Sequence, residues 1–263
     1  FRIISKRLNM INQDISCIIP TCNRKELLNE TLNSVLNQTI LPKEIIIVNN
    51  GDTNIDYKYL NIEDHKKYNI NIYNLPKKAG LAQALNFGSS IASSKYLAFL
   101  EDDDLWEKNY IKKLMESVTD EYKVYVTRID KLKDGKIQSY KNAKDKINLN
   151  NLFNYNPGIN ISNLCVKKEA LFDISGFDTS MIVGVDKSTA IDFILNGYEI
   201  KVLEHIQEIG RHHDGERLTN RYLLMLNSQV SFYKKYKKIL SFNQKIKLII
   251  KILYLKIFKK TNK

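Results

Sequence analysis

The first hundred residues alternate between short apolar runs and segments whose apolar residues recur every three or four positions. ISCIIP (15–20), EIIIV (44–48), INIYNL (70–75) and YLAFL (96–100) are short runs without helical spacing, and they predict strands, most of them buried on both faces. After the first run, KELLNETLNSVLNQ places Leu28, Thr31, Leu32, Val35 and Leu36 on one side of a helix. Residues 81–93 predict a second helix with Leu81, Ala84, Leu85 and Ile91 inward, despite the weak helix former Gly88. Strand, helix, strand, then strand, helix, strand is the pattern of an α/β fold. It predicts a mostly parallel sheet flanked by helices, with right-handed crossovers.

Past residue 122 the pattern is less regular. KVYVTRI (123–129) predicts a strand and DGK (134–136) a hairpin turn leading into IQSY. SNLCV (162–166) predicts another strand, KEALFDI a helix and GFD (176–178) a turn. Residues 188–196 predict a helix stopped by Gly197, with YEIKVL and HIQEIG as two short strands beyond it. This half is expected to continue the same domain.

Open parallel sheets bind ligands beyond the carboxyl ends of their strands. TCNR (21–24), NNGD (49–52) and EDDD (101–104) each follow a predicted strand, so they should converge on one crevice. The third is the most demanding, because Glu101, Asp102, Asp103 and Asp104 repel one another. Hard divalent cations such as Mg²⁺ or Mn²⁺ are often held by one or two carboxylates plus substrate phosphates. In an extended segment Glu101 and Asp103 point to the same side, so both can serve. The alternative is a solvated loop in which Asp104 caps a helix starting at Leu105.

In this order, IIPTCNR (18–24), IIIVNNGD (45–52), GLAQALNFG (80–88), YLAFLEDDDLW (96–106), GFD (176–178) and ILNGYEI (194–200) resemble the motifs of family 2 glycosyltransferases. These are inverting enzymes with a GT-A fold that use nucleotide-sugars, and the likeness covers residues 15–200. The resemblance implies that Pro20, Thr21, Asn23 and Arg24 lie against the nucleotide base and ribose, with Asn50 and Asp52 at the base. Gly80 and Asn86 match the segment closing over the nucleotide. Glu101 and Asp103 match the DXD motif, where the first acid faces the ribose and Asp103 holds Mn²⁺ or Mg²⁺; Asp102 lies between them in the nucleotide-sugar site. Counting back from Gly197–Tyr198, Asp186 falls where the family places its catalytic base. The alternative for Asp186 is an ordinary residue at a helix start, since KSTAIDFI follows. His213 matches a family histidine near the metal or diphosphate, and Arg211 and Arg217 are alternative diphosphate partners. The chain departs from the pattern at Asn49 and Asn50, where two acids are usual, and at Glu101 in place of aspartate. Val185 and Ser188 also stand at positions often acidic. Family frequency suggests UDP, with a glycan or lipid-linked acceptor in cell-surface polysaccharide synthesis.

Charge divides the chain of 263 residues in two. After Glu216 there is no Asp or Glu, yet residues 217–263 carry 13 Lys and Arg, leaving 28 basic against 29 acidic residues before them. The expected organisation is therefore a glycosyltransferase domain over 10–216 and a basic amphipathic helical region over 217–263. On a helix, Ile246, Ile249, Ile250, Leu253 and Ile257 share one face among lysines. No uncharged run reaches the about 20 residues needed to span a bilayer, so peripheral contact with the inner membrane face is expected and nucleic acid is not. The alternative is a helix packed on the domain with a solvated lysine face. Three cysteines, Cys17, Cys22 and Cys165, cannot all pair and lack zinc-site spacing, which suits a reducing, cytoplasmic compartment. A sugar nucleotidyltransferase would show a glycine-rich phosphate loop where PTCNR has none. The remaining rivals are an inactive transferase relative and a basic membrane- or nucleic-acid-binding module.

Overall fold

Each of the four apolar runs forms a strand: β1 (Ile15–Thr21), β2 (Glu44–Asn49), β3 (Ile70–Asn74) and β4 (Tyr96–Phe99). The computed structural model describes residues 14–62, 67–77, 79–133, 135–141, 147–211 and 222–261. β1, β2 and β4 are buried at every residue, as continuous apolar runs require, whereas β3 lies at the sheet edge with only Ile70 buried. The four lie side by side as β3-β2-β1-β4, all parallel. The chain thus builds to one side of β1 and then returns to the other. A crevice opens at such a reversal, between the carboxyl ends of β1 and β4.

Later strands extend the sheet with mixed polarity. They are β5 (Asp104–Trp106), β6 (Val124–Lys133), β7 (Lys136–Lys141), β8 (Leu164–Lys167) and β9 (Ile200–Arg211). From β4 the order runs β8-β6-β9-β5, with only the β6–β9 pair parallel, and β7 hairpins onto β6. The helices are α1 (Lys25–Leu36), α2 (Leu81–Ile91), α3 (Tyr110–Ser117), α4 (Leu149–Asn154), α5 (Lys168–Asp173), α6 (Val185–Leu195), α7 (Tyr222–Tyr236) and α8 (Phe242–Thr261).

Side chains that alternate along β1 divide the core in two. Ile15, Cys17 and Ile19 pack with Leu28, Leu32 and Val35 of α1 and with Tyr110 and Leu114 of α3. Ile18 faces the other layer, with Ala84 and Leu85 of α2 and Phe193 of α6. Gly88 has a packing reason: a Cβ there would sit 2.7 Å from Ile18 Cγ2 and 3.2 Å from Val48 Cγ2. Its helix cost is offset by close approach of α2 to the sheet.

Several local expectations change. No helix starts at Leu105; Asp104–Trp106 pairs antiparallel with β9 instead, and Trp106 stacks on Tyr110 with ring centroids 4.3 Å apart. Pairing with a distant strand overrides a local cap signal. YEIKVL and HIQEIG join in one strand, β9, whose register against β6 jumps from Leu203 to Gln207. The helix expected from 188 begins at Val185, which puts Asp186 in its first turn. Ile91 ends α2 with its side chain 37% exposed rather than inward.

The basic C-terminal segment has two faces. Phe232 and Tyr236 of α7, and Leu240 after it, join the core layer over α6, with Leu248 of α8 packed alongside. Ile252 of α8 is also buried. On the opposite side of α8, Ile246, Ile249, Ile250, Leu253 and Ile257 remain exposed, from 40% to 63%. Among the described residues no helix is long and apolar enough to cross a membrane.

Candidate active site

The loop after β1 is braced by the acids after β4. Thr21 Oγ1 donates to Asp102 at 2.8 Å, and the Cys22 N–H reaches the same oxygen at 3.3 Å. Arg24 Nη1 lies 3.0 Å from both Asp102 and Asp103. Asp102 is 5% exposed. Burial pushes its carboxyl up, and the Arg24 charge opposes that shift. Thr21 and Asp102 therefore shape the loop with the groups expected to meet the nucleotide. Pro20 and Thr21 close β1 directly beside them.

The loops after β1 and β2 are tied reciprocally. Asn23 Nδ2 donates to Asp52 at 2.8 Å, and the Asp52 N–H donates to Asn23 Oδ1 at 2.9 Å. Asn23 adopts a left-handed conformation, φ 58°, to make this contact. Gly51 is required by the closeness of the two loops, since a Cβ there would fall 2.5 Å from Asn23 Oδ1. Asn49 builds the turn, donating to the Thr53 carbonyl and Asn74 Oδ1 and accepting from the Gly51 N–H. Asn50 anchors through its N–H to the Thr21 carbonyl, while among the described residues its buried Oδ1 has no hydrogen-bond partner. A buried acceptor left unpaired is costly, and a donor on a bound ligand would satisfy it.

The acids after β4 point in different directions. The Glu101 N–H donates to Ser162 Oγ at 3.0 Å, and the Ser162 hydroxyl donates to Asp104 at 2.6 Å. The Arg211 N–H also reaches Asp104. Burial and the Asp103 charge push the Asp104 carboxyl up to about 7. Glu101 is pushed well above the usual carboxylate range by burial and by Asp103, Asp104, Asp186 and Asp102. Glu208 of β9 is raised by burial and Asp104, and accepts from Asn160 at 3.3 Å.

Asp186 comes into this field from the far side of the chain, across 85 residues from Glu101. Asn156 Nδ2 donates to its Oδ2 at 3.2 Å, and the Lys187 N–H also bonds it. These bonds hold the carboxylate, while burial lifts its pKa. The structure thus brings together Thr21, Arg24, Asp102, Asp103, Glu101 and Asp186, with Asn23, Asn50 and Asp52 in the adjoining loops.

Two expected residues have roles within the fold itself. Gly80 is the N-cap of α2. Asn86 spends its side chain on the turn at 176–178, donating to the Phe177 carbonyl at 2.8 Å and accepting from the Phe177 N–H at 2.7 Å. Arg211 is not aimed at a diphosphate. Its buried guanidinium donates to the carbonyls of Leu27, Asp102 and Asp103 and to Thr31 Oγ1, and pairs with Glu30. His212, His213 and Arg217 lie outside the described residues. Ser162 and Asn156, which hold Asp104, Glu101 and Asp186, carry no sequence signal; they read as ordinary turn and strand residues.

The donor set fits a divalent cation. It offers hard carboxylate oxygens, and a cation would relieve the mutual repulsion that raises Glu101. Among the described residues no three His, Cys, Asp or Glu side chains form a ready-made cage. A cation held by Asp103 would complete its shell with ligand phosphate oxygens.

Comparison with known proteins agrees with this geometry. The sequence profile described as glycosyl transferase family 2 matches residues 16–182. Glycosyltransferase GlyG of Streptococcus pneumoniae is 26% identical over 220 residues, covering 82% of this chain and 67% of that protein. TuaG of Bacillus subtilis, a putative teichuronic acid biosynthesis glycosyltransferase, is 32% identical over 106 residues, 39% of this chain and 40% of its own length. The chain thus spans two thirds or less of these relatives. Among solved structures, S. aureus TarS 1–349 in complex with UDP-GlcNAc matches with a TM-score of 0.64 and 19% identity, over 92% of this chain and 72% of that one. The mannosyltransferase PcManGT of Pyrobaculum calidifontis, in complex with GDP-Man and Mn²⁺, matches with a TM-score of 0.61 and 17% identity, over 92% and 69%. With the profile covering more than half of its length and the crevice motifs in place, the chain belongs to glycosyl transferase family 2 and carries the GT-A fold.

Proposed function

We propose that this chain moves a sugar from a nucleotide-sugar, with UDP as the nucleotide, to a hydroxyl of a glycan or lipid-linked acceptor, inverting the anomeric centre. The observation that carries this reading is the placement of Asp186 opposite the acids after β4, close enough for its charge to raise Glu101. The TuaG name supports a role in polysaccharide synthesis.

Asn50, Asp52, Asn23 and Arg24 would hold the nucleotide, with Gly80 and Asn86 on the side that closes over it and Glu101 toward the ribose. Asp103 would hold Mn²⁺ or Mg²⁺, which when bound offsets the charge of the departing diphosphate. Asp186, oriented by Asn156, takes the acceptor hydroxyl proton as that oxygen attacks the anomeric carbon. The new carbon–oxygen bond forms as the bond to the diphosphate breaks, and the nucleoside diphosphate leaves with its electron pair. A raised carboxylate pKa makes Asp186 a better proton acceptor than an exposed aspartate.

We also place the protein peripherally at the inner face of the membrane. The exposed apolar face of α8, flanked by Lys245, Lys247 and Lys256, suits an anionic lipid surface. A thermal-shift panel of UDP, GDP, CDP and dTDP, with and without Mn²⁺, tests the donor reading. Stabilisation of about 2.7 kcal/mol is expected at a hundred times the dissociation constant of the right nucleotide. It should need the metal and disappear in Asp103→Ala; no shift with any nucleotide would sink the reading.

A further inference from the structure

We propose that the β6–β7 hairpin is the docking rim for the acceptor, and that it binds a glycan chain carrying carboxylate or phosphate groups. The inference rests on the donor reading above, which puts the nucleotide-sugar at the loops after β1, β2 and β4. β4 is antiparallel to β8, and β8 to β6, so β6 runs the same way as β1, β2 and β4. The carboxyl end of β6 therefore reaches the ligand-binding edge of the sheet, and the turn into β7 projects from that edge.

Strand register fixes which hairpin residues face the site. Asp104 of β5 pairs with Gly210 of β9, Gly210 with Lys131 of β6, and Lys131 with Gln138 of β7. Side chains paired in this way stand on one face of the sheet. Gly210 has none, so no side chain of that row separates Lys131 from Asp104, two strand spacings or about 10 Å away. Lys131 is half-buried, with Nζ 3.5 Å from the centre of the Tyr140 ring. Tyr140 itself is 48% exposed. Lys133 and Lys136 pair directly across the hairpin beside its turn, and both are exposed.

Like charges directly opposite on neighbouring strands destabilise the pairing. Among the described residues none of Lys131, Lys133 and Lys136 has a carboxylate in ion-pair contact. KLKDGKIQSYK (131–141) carries four lysines and a single acid, Asp134. Lys235 of α7 shows the contrast of a lysine used within the fold: it bridges Asp178 at 2.6 Å and Asp192 at 2.7 Å. Anionic groups on a glycan would answer the hairpin lysines through charge-assisted hydrogen bonds. The Tyr140 ring beside them offers an apolar face and a hydroxyl, which suits a sugar ring better than a free ion. Position at the site edge and positive charge together name the acceptor class, an anionic saccharide chain.

Lysine acetylation on the full chain, read site by site by peptide mass spectrometry, tests this with UDP and Mg²⁺ present. Two probes separate the sources of charge: oligogalacturonate supplies carboxylates and phosphorylated dextran supplies phosphates. At least one should protect Lys131, Lys133 and Lys136, and the stronger names the anion. The methyl ester of oligogalacturonate and plain dextran should not protect them. Lys133→Gln with Lys136→Gln should weaken protection of Lys131 by about tenfold, the scale of one charge-assisted contact. Arginine at the same two positions keeps the charge and should keep that protection. Equal protection by the neutral probes, or protection of Lys245, Lys247 and Lys256 of α8 without the hairpin, overturns the rim. So does protection of the hairpin by phosphatidylglycerol vesicles but by neither glycan. The nucleotide thermal shift keeps the two readings apart. A shift with UDP and no hairpin protection defeats the rim alone. Hairpin protection with no shift from any nucleotide defeats the donor reading, and the acceptor role of the hairpin with it.

Discussion

The two walls of the crevice are built on opposite plans. On the donor wall the loops after β1, β2 and β4 hold one another: Thr21 and Arg24 on Asp102, Asn23 on Asp52, Ser162 between Glu101 and Asp104. Few groups there are left over, and the buried Asn50 oxygen is one of them. On the other wall, Asp186 and Lys187 sit at the start of α6, where Lys187 has no carboxylate in ion-pair contact among the described residues, and α8 leaves an apolar face uncovered. A preorganised wall suits a ligand that is always the same, such as a nucleotide. A wall with unanswered charge and exposed apolar surface is completed by what binds there.

The comparison is broken most sharply at Asp186. Asp186→Asn should lower transfer by about 10²- to 10⁴-fold, the usual worth of a positioned general base. Nucleotide binding, followed by thermal shift, should persist because the donor wall is untouched. Normal transfer by this variant would remove the chemistry from the second wall.

Next in size is the open face of α8. Ile250→Glu with Leu253→Glu should weaken binding to phosphatidylglycerol vesicles by tenfold or more, on the order of the free energy of burying two apolar side chains. Urea unfolding should shift by no more than about 0.5 kcal/mol, since both side chains are already exposed. A large loss of stability instead would mean that this face packs within the protein.

Gly51→Ala probes the bracing of the donor wall. The added Cβ would meet Asn23 Oδ1 at 2.5 Å, so the loops after β1 and β2 must separate. A cost of about 1–3 kcal/mol is expected in denaturant unfolding, together with weaker nucleotide binding. An unchanged nucleotide affinity would show that the two loops need not touch.

The smallest effect is a pH dependence at Lys187. Its pKa is lowered from an ordinary 10.5 to about 8 by burial and Lys251, so the folded state carries a penalty wherever the side chain is charged. The penalty is full below pH 8, and it fades as pH rises from 8 to 10.5 because the unfolded chain then binds more protons. Lys187→Met should be more stable than the wild type by under about 1 kcal/mol near pH 7, given partial exposure to solvent. The gap in urea midpoints should close by pH 10.5.

Much of the donor half was legible in the sequence, because its features are local. Three of the four apolar runs end in a polar cluster, and a parallel sheet puts all three clusters at one edge. Asp186 was placed by register to Gly197–Tyr198, with its helix start three residues late. Ser162 and Asn156 were not legible. Ser162 acts on Glu101 across 61 residues and Asn156 on Asp186 across 30, and hydrogen bonds over such spans leave no periodic trace. Val185 and Ser188 looked like lost acids; the fold shows Val185 in the core and Ser188 hydrogen-bonded to Tyr236 of α7 at 2.9 Å.

By itself the sequence determined the order of strands and helices, the three polar loops, and a C-terminal segment with lysines and no acids, since these follow from spacing and composition along the chain. Only the tertiary structure decided that Leu105 and Trp106 join a sheet, that Arg211 is spent inside the fold, and that α8 packs one face while exposing the other. Those outcomes depend on which distant surface each residue meets. Burial and pairing, which set the energy of a residue, are properties of the assembled neighbours rather than of the residue's own stretch of chain.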